Sequence, residues 1–240
     1  MAMPSLPLRV AFAATLTSLL ASGAASAQAP GDGFAPHAYV GAAWGLTRAQ
    51  GDFEAQVLAS ASSLGAGSTI SNLGSDRSDN GGKVYAGYAF HPNFAAELSY
   101  VDFGRFTGAY DVSGFNTFTR RYRANWRADG FALDAVASLP LGAGLTASAR
   151  VGVMRSSLRF SHDTVPAGLD AFTAPTDSQW RPHFGVGLSY QLNRQIAVNL
   201  GWERTSGIGR TFTFGGPDAD RTNGKLDYDL LSLGLTYRFR

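Results

Sequence analysis

The segment that decides the fold is Leu231-Ser232-Leu233-Gly234-Leu235-Thr236-Tyr237-Arg238-Phe239, because it alternates strictly between two kinds of residue. Its odd-numbered positions are apolar or aromatic, and its even-numbered positions are small or polar. Successive side chains of a β-strand point to opposite faces. This period of two therefore predicts a strand with one apolar face and one small or polar face.

Seven earlier segments alternate in a similar way, and each is close to the ~9–11 residues with which a tilted strand crosses a bilayer. They are Ala38–Leu46, Lys83–Phe90, Phe94–Phe103, Gly130–Leu139, Leu145–Arg155, Arg181–Gln191 and Gln195–Thr205. The eight segments together predict an all-β chain.

The connections between these segments fall into two classes. Three are short and lie at His91-Pro92-Asn93, around Pro140 and Gly142-Ala143-Gly144, and at Leu192-Asn193-Arg194. Four are long and polar, at about 47–82, 104–129, 156–180 and 206–227. Short turns that alternate with long loops are typical of bacterial outer-membrane barrels. We therefore predict an eight-stranded antiparallel up-and-down transmembrane β-barrel with four long external loops.

A soluble eight-stranded barrel of the lipocalin kind is the main alternative. A soluble barrel buries its apolar face, whereas a membrane barrel turns that face toward lipid and fills a narrow lumen with small and polar side chains. The chain contains 29 glycines, about 12% of its residues against a usual ~7%, and many lie on the second face of the predicted strands. This pattern favours the membrane barrel.

The first 27 residues are predicted to be a cleaved signal peptide, which leaves residues 28–240 as a single barrel domain. Arg9 provides the positive region, Val10–Leu20 the apolar region, and Ala25-Ser26-Ala27 a cleavage site before Gln28. An inner-membrane anchor is the alternative, but the apolar run is shorter than the ~20 residues of a spanning helix.

Composition excludes several classes of site. The chain has no cysteine, which excludes disulfide scaffolds and thiolate-based metal or catalytic sites. Its formal net charge of +2 is too small to argue for nucleic acid. No His cluster or phosphate-binding glycine motif is present, so no cofactor or metal is expected.

Aromatic residues are concentrated toward both ends of the predicted strands. Two such rings flanking an apolar band form the interfacial girdles of a membrane barrel. The predicted membrane-interface aromatics are Trp44, Tyr88, Phe90, Tyr100, Trp180, Tyr190, Trp202, Tyr237 and Phe239.

Five charged residues are assigned to the inward face by strand parity. Residue counts from the short turns place Glu97, Asp134 and Arg150 at about the same depth on consecutive strands, where they predict a charge-assisted hydrogen-bond network. Lys83 and Glu203 are expected nearer the outer mouth.

Four arginines, Arg120, Arg121, Arg123 and Arg127, rise from the second long loop into the fourth segment. The guanidinium fork suits phosphate, which predicts contacts with lipopolysaccharide. An ordinary solvated loop edge is the alternative interpretation.

Catalysis is not expected. Of the four histidines only His183 faces inward, and Ser156 and Asp129 are the residues that could approach it. No recognisable spacing supports a Ser-His-acid triad.

The chain resembles the transmembrane domain of the outer membrane protein A family over almost all of residues 28–240. The matching stretches are 91–97, Tyr100, Gly104-Arg105, 139–141, 149–154, 185–190, Ile196-Ala197, Ile208-Gly209 and 231–239. This resemblance implies an eight-stranded barrel in the outer membrane of a Gram-negative bacterium. Many family members carry a peptidoglycan-binding domain after the barrel, a role not expected for a chain that ends at Arg240.

The resemblance also implies a network of inward charges that closes the lumen, but a thinner network here, so that no specific gate is carried over. Glu97 and Arg150 match charged positions of that pattern, whereas Asn199 replaces a base and Ser189 and Gly201 replace acids. The inward charges are compatible with two interpretations, a structural plug and an ion-conducting path.

The leading functional hypothesis is a structural barrel that supports envelope integrity and displays its loops for adhesion or recognition. A narrow, low-conductance porin is the alternative, and a lipid-modifying enzyme is the third hypothesis. The expected partners are outer-membrane lipid and lipopolysaccharide, host or surface ligands, and the outer-membrane assembly machinery, which reads the C-terminal strand.

Overall fold

The computed structural model describes residues 34–51, 69–113, 119–165, 172–173, 176–209, 211–213, 221–223 and 225–239. The barrel lies within the unit Pro36–Arg240. The predicted signal peptide, residues 1–27, lies outside the described residues. No helix among the described residues is long and apolar enough to cross a membrane.

Twelve strands are formed by the described residues. They are β1 His37–Gln50, β2 Thr69–Asp76, β3 Ser78–His91, β4 Phe94–Ser113, β5 Thr119–Gly142, β6 Leu145–Val165, β7 Phe172–Thr173, β8 Asp177–Gln191, β9 Ile196–Ile208, β10 Thr211–Thr213, β11 Arg221–Asn223 and β12 Leu226–Arg238.

The eight long strands pair in the order β4-β3-β1-β12-β9-β8-β6-β5, and β5 pairs with β4 to close the ring. Every neighbouring pair is antiparallel. The short strands β2 and β7 join the edges of β4 and β6, and β10 pairs with β11. The predicted eight-stranded antiparallel up-and-down barrel is therefore confirmed.

The apolar face of the strands points outward. In β12, Leu231, Leu233 and Leu235 are exposed, whereas Ser232 and Thr236, which have the opposite parity, are buried. The same parity exposes Trp44 in β1 and Leu133 in β5. A lipocalin-like barrel would bury these side chains, so the orientation supports the membrane barrel.

The three short turns lie where the sequence predicts them. They occupy 92–93, 143–144 and 192–195. Ala143 has a φ of 49° between two glycines that also have positive φ. Asn193 Oδ1 accepts hydrogen bonds from the backbone nitrogens of Gln195 and Ile196 at 2.8 Å each, which fixes the third turn.

The strands extend much further toward the opposite end than the sequence predicts. The expected loop 104–129 is mostly strand, because β4 continues to Ser113 and β5 begins at Thr119. At Gly104 the register shifts and φ is 83°, so this glycine forms a β-bulge instead of ending the strand. The expected loop 47–82 likewise contains β2 and the start of β3, and β6 runs into the third expected loop.

Candidate functional site: the closed lumen

Six inward side chains form one buried cluster inside the barrel. We call it the ion cluster; its members are Lys83 of β3, Glu97 of β4, Asp134 of β5, Arg150 of β6, His183 of β8 and Glu203 of β9. Cross-strand register explains part of the grouping, because Glu97 lies directly opposite Asp134. Glycines lie opposite other members and leave them space, as Gly185 does for both Arg150 and Glu203.

Two cations and two carboxylates alternate at the centre of the ion cluster. Lys83 Nζ lies 3.1 Å from Glu97 Oε1 and 2.7 Å from Glu203 Oε1. Arg150 Nη1 lies 2.5 Å from Glu97 Oε1 and 3.0 Å from Glu203 Oε1. The Lys83, Glu97 and Glu203 side chains are at most 4% exposed, and that of Arg150 is 14% exposed. Each charge is thus neutralised by two opposite charges in a largely buried site.

A histidine–aspartate pair completes the ion cluster. His183 Nδ1 lies 2.9 Å from Asp134 Oδ1, and both side chains are fully buried. His183 Nε2 lies 3.5 Å from Glu203 Oε2, so the pair adjoins the four-residue centre. Only the inward direction of His183 was predicted, since its role depends on a contact between strands that are not neighbours.

The arrangement differs from the sequence expectation in two respects. Asp134 pairs with His183 and not with Arg150. Lys83 and Glu203 lie within the cluster and not nearer the mouth. Strands of a barrel are tilted and staggered, so residue counts from turns on different strands do not give a common height.

An apolar layer fills the lumen between the ion cluster and the long-loop end. Its buried members are Val101, Phe103, Phe106, Met154, Ile208, Tyr228 and Leu230. The Tyr228 ring lies 5.4 Å from that of Phe103 and 5.3 Å from that of Phe106. This layer was not predicted, because Tyr228 and Leu230 fall between the expected fourth loop, 206–227, and the expected last segment, 231–239. Both residues lie on β12.

Polar side chains fill the lumen on the turn side of the ion cluster. Tyr39 Oη donates to Glu97 Oε2 at 3.1 Å. Tyr85 Oη lies 2.7 Å from Thr236 Oγ1, to which Asn199 Nδ2 donates at 2.7 Å. The lumen is therefore occupied at three successive levels.

The nine predicted interface aromatics all lie on the outward face. Trp44, Tyr88, Phe90, Trp180, Tyr190, Tyr237 and Phe239 are exposed, and Tyr100 and Trp202 are half-buried. Arg204 lies 5.5 Å above the Trp202 ring and forms a two-pronged ion pair with Asp229.

The four predicted loop arginines lie on β5 and not in a loop. All four are exposed. Arg127 forms an ion pair with Asp102, and Arg121 lies 3.8 Å from Asp111.

The residues considered for a triad do not converge. Ser156 Oγ donates to the Gln179 carbonyl oxygen at 3.2 Å. Asp129 Oδ2 accepts from Tyr100 Oη at 3.2 Å on the outer face of the barrel, away from His183. Among the described residues, no nucleophile pairs with His183 as its base.

Comparison with known proteins gives a match over nearly the whole described chain. Residues 35–240 match the family described as the OmpA-like transmembrane domain. Outer membrane protein A of Salmonella typhi is 29% identical over 161 residues, which cover 66% of this chain and 40% of that protein. The corresponding protein of Klebsiella pneumoniae is 27% identical over 173 residues, covering 70% and 44%. The chain spans less than half the length of these curated relatives.

Solved structures of small outer-membrane proteins are also similar. The Yersinia pestis attachment invasion locus protein Ail, crystallised with the heparin analogue sucrose octasulfate, is 10% identical with a TM-score of 0.48. That match covers 86% of this chain and all of Ail. Pseudomonas aeruginosa OprG is 17% identical with a TM-score of 0.46, covering 85% and 96%.

Proposed function

Because this chain belongs to the family of OmpA-like transmembrane domains, we propose that it is a structural barrel with a closed lumen. It is a protein of the cell outer membrane. The proposed role is to support the envelope and to hold a sheet outside the membrane for adhesion or recognition. We assign it no catalytic role.

The observation that carries this proposal is the stacking of two layers in the lumen. The ion cluster alone could open by exchanging ion-pair partners. The apolar layer cannot open in this way, because apolar side chains form no ion pairs. Its Phe103, Tyr228 and Leu230 side chains are almost completely buried. Ions that enter such a layer lose their hydration shell, which is costly. This favours a structural barrel over a low-conductance porin, and the two candidates make opposite predictions for conductance.

The proposed role in adhesion or recognition rests on the long β4–β5 hairpin. Its two strands pair up to Ser113 and Thr119, and the Tyr110 and Tyr122 rings stack at 5.4 Å. β2 and the end of β6 widen this sheet on both sides. A paired sheet presents side chains in a fixed arrangement, as an adhesive or recognition surface requires.

Surface display is tested with single cysteines, because the natural chain has none. We expect a membrane-impermeant maleimide to label Thr119→Cys on intact cells, since Thr119 is exposed at the hairpin end. The matched control is Arg194→Cys, exposed in a short turn at the other end of the barrel. It should label only after the outer membrane is permeabilised. Equal labelling of both variants on intact cells would contradict the proposed orientation.

Three partners are proposed with this role. Exposed Arg120, Arg121, Arg123 and Arg127 are suited to lipopolysaccharide phosphates. The β12 strand, followed by the exposed Phe239, is the proposed signal for the assembly machinery. Host or surface ligands are proposed to bind the external sheet.

A further inference from the structure

Three arginines lie side by side on neighbouring strands of the outer barrel wall. Arg105 of β4 is directly opposite Arg127 of β5, which is directly opposite Arg159 of β6. All three are exposed. Directly opposite residues of antiparallel strands have Cβ atoms only about 4.5–5.5 Å apart, and like charges there repel each other. We call these residues the arginine row.

The bulge at Gly104 is what brings Arg105 into this row. On β4 before the bulge, odd-numbered Val101 and Phe103 face the lumen. The extra residue at Gly104 reverses that parity, so that Arg105 faces outward in register with Arg127. Bulges commonly redirect a side chain in this way.

Nearby acids neutralise only part of this positive charge. Asp102 pairs with Arg127, and Asp129 lies 3.3 Å from Arg159. A fourth outward cation, Arg155, lies 5.8 Å from the Trp180 ring. A third carboxylate, that of Asp79, accepts a hydrogen bond from the backbone nitrogen of Arg105. Four arginines against three carboxylates leave a formal charge of +1 on this part of the wall.

The arginine row lies at the height of lipid headgroups. Arg105 follows Phe94, the first residue of β4, by 11 residues. At about 3.3 Å per residue and a tilt of about 40°, the rise is roughly 28 Å, and the apolar band of such barrels is about 25 Å tall. Outward Tyr100, Phe131 and Trp180 lie on the turn side of the row.

We propose that the arginine row binds the phosphate of a phosphorylated glycolipid in the outer leaflet, with the acyl chains against the apolar wall below. This inference deepens the lipopolysaccharide contact proposed above for Arg127, and it rests on the proposed function for that partner and for the orientation of the barrel. Guanidinium groups bind phosphate through paired hydrogen bonds, and three adjacent groups can contact one phosphate from three sides. The aromatic side chains below the row favour a lipid over a free ion.

The test measures the dissociation constant of bisphosphorylated lipid A for the detergent-refolded barrel by native mass spectrometry. We expect Arg105→Gln/Arg159→Gln to weaken binding about tenfold, the loss expected for removed charge-assisted hydrogen bonds. The matched control is Arg48→Gln/Arg194→Gln, which makes the same change in charge at two exposed sites outside the row. It should bind like the unchanged protein.

A second variant is expected to change the affinity for lipid A in the opposite direction. Asp102→Asn/Asp129→Asn removes the carboxylates that compete with the phosphate, and we expect tighter binding. Dephosphorylated lipid A should bind weakly, and excess inorganic phosphate should compete poorly. The inference is overturned if both variants bind like the unchanged protein, if the phosphates on the lipid make no difference, or if inorganic phosphate competes as strongly as the lipid. A negative result in this lipid-binding test would not change the expected cysteine labelling or conductance. Failure of the inference is therefore distinguishable from failure of the proposed function.

Discussion

Arg150→Ala is expected to lower the free energy of unfolding by about 3–5 kcal/mol, the cost of removing one partner from a buried ion pair. Arg150 contacts both Glu97 and Glu203. Without it, these two carboxylates, both almost completely buried, share Lys83. Urea unfolding of the protein in lipid vesicles, followed by tryptophan fluorescence, measures the loss.

Arg204→Ala is the matched control for this variant. Arg204 also pairs with a carboxylate, that of Asp229, but it lies on the outer wall with a quarter of its side chain exposed. A pair of this kind contributes about 1 kcal/mol or less. The double variant Arg150→Ala/Glu97→Gln should recover part of the lost free energy of unfolding, because it also removes one of the two carboxylates that have lost Arg150. Equal effects of Arg150→Ala and Arg204→Ala would mean that the ion cluster is hydrated.

Tyr228→Ala is expected to destabilise the barrel by about 3–5 kcal/mol, as truncation of a large aromatic side chain in a packed interior does. Tyr228 is fully buried and packs against both Phe103 and Phe106. Its removal leaves a cavity that the rigid barrel wall cannot close. The same unfolding experiment measures this effect.

Tyr228→Phe is the control, because it removes only the hydroxyl group. Among the described residues this buried hydroxyl has no hydrogen-bond partner. Its removal should leave stability unchanged or raise it. A large loss with Tyr228→Phe, or none with Tyr228→Ala, would contradict the packing of the apolar layer.

Most of the barrel could be predicted from its sequence, because alternation directly reports which face of a strand meets lipid. The segment 231–239 and its seven counterparts lie on long strands of the closed ring, apart from the end residues Gln195 and Phe239. The family match over residues 35–240 confirms the resemblance read from the same motifs. The extension of β4 and β5 could not be predicted, because a glycine such as Gly104 is typical of a strand end. In the structure Gly104 forms a bulge, which is recognised only from the register with β5.

The inward charges were identified by parity, but their partners were not. Parity states which face a side chain occupies, whereas the Asp134–His183 contact depends on how strands across the lumen are staggered. The apolar layer was missed for a related reason. Tyr228 lies between two charged residues, Asp227 and Asp229, and such a sequence is typical of a loop. Only the structure shows that the last strand begins before it.

Single-channel recording of the purified, refolded protein in planar bilayers tests the closed lumen most directly. A lumen filled by the ion cluster and the apolar layer predicts a silent bilayer at all moderate voltages. Folding of the same sample is checked by its heat-modifiable migration on SDS gels. Reproducible unitary conductance steps from the folded protein, altered by Glu97→Gln, would contradict the closed lumen and favour the porin.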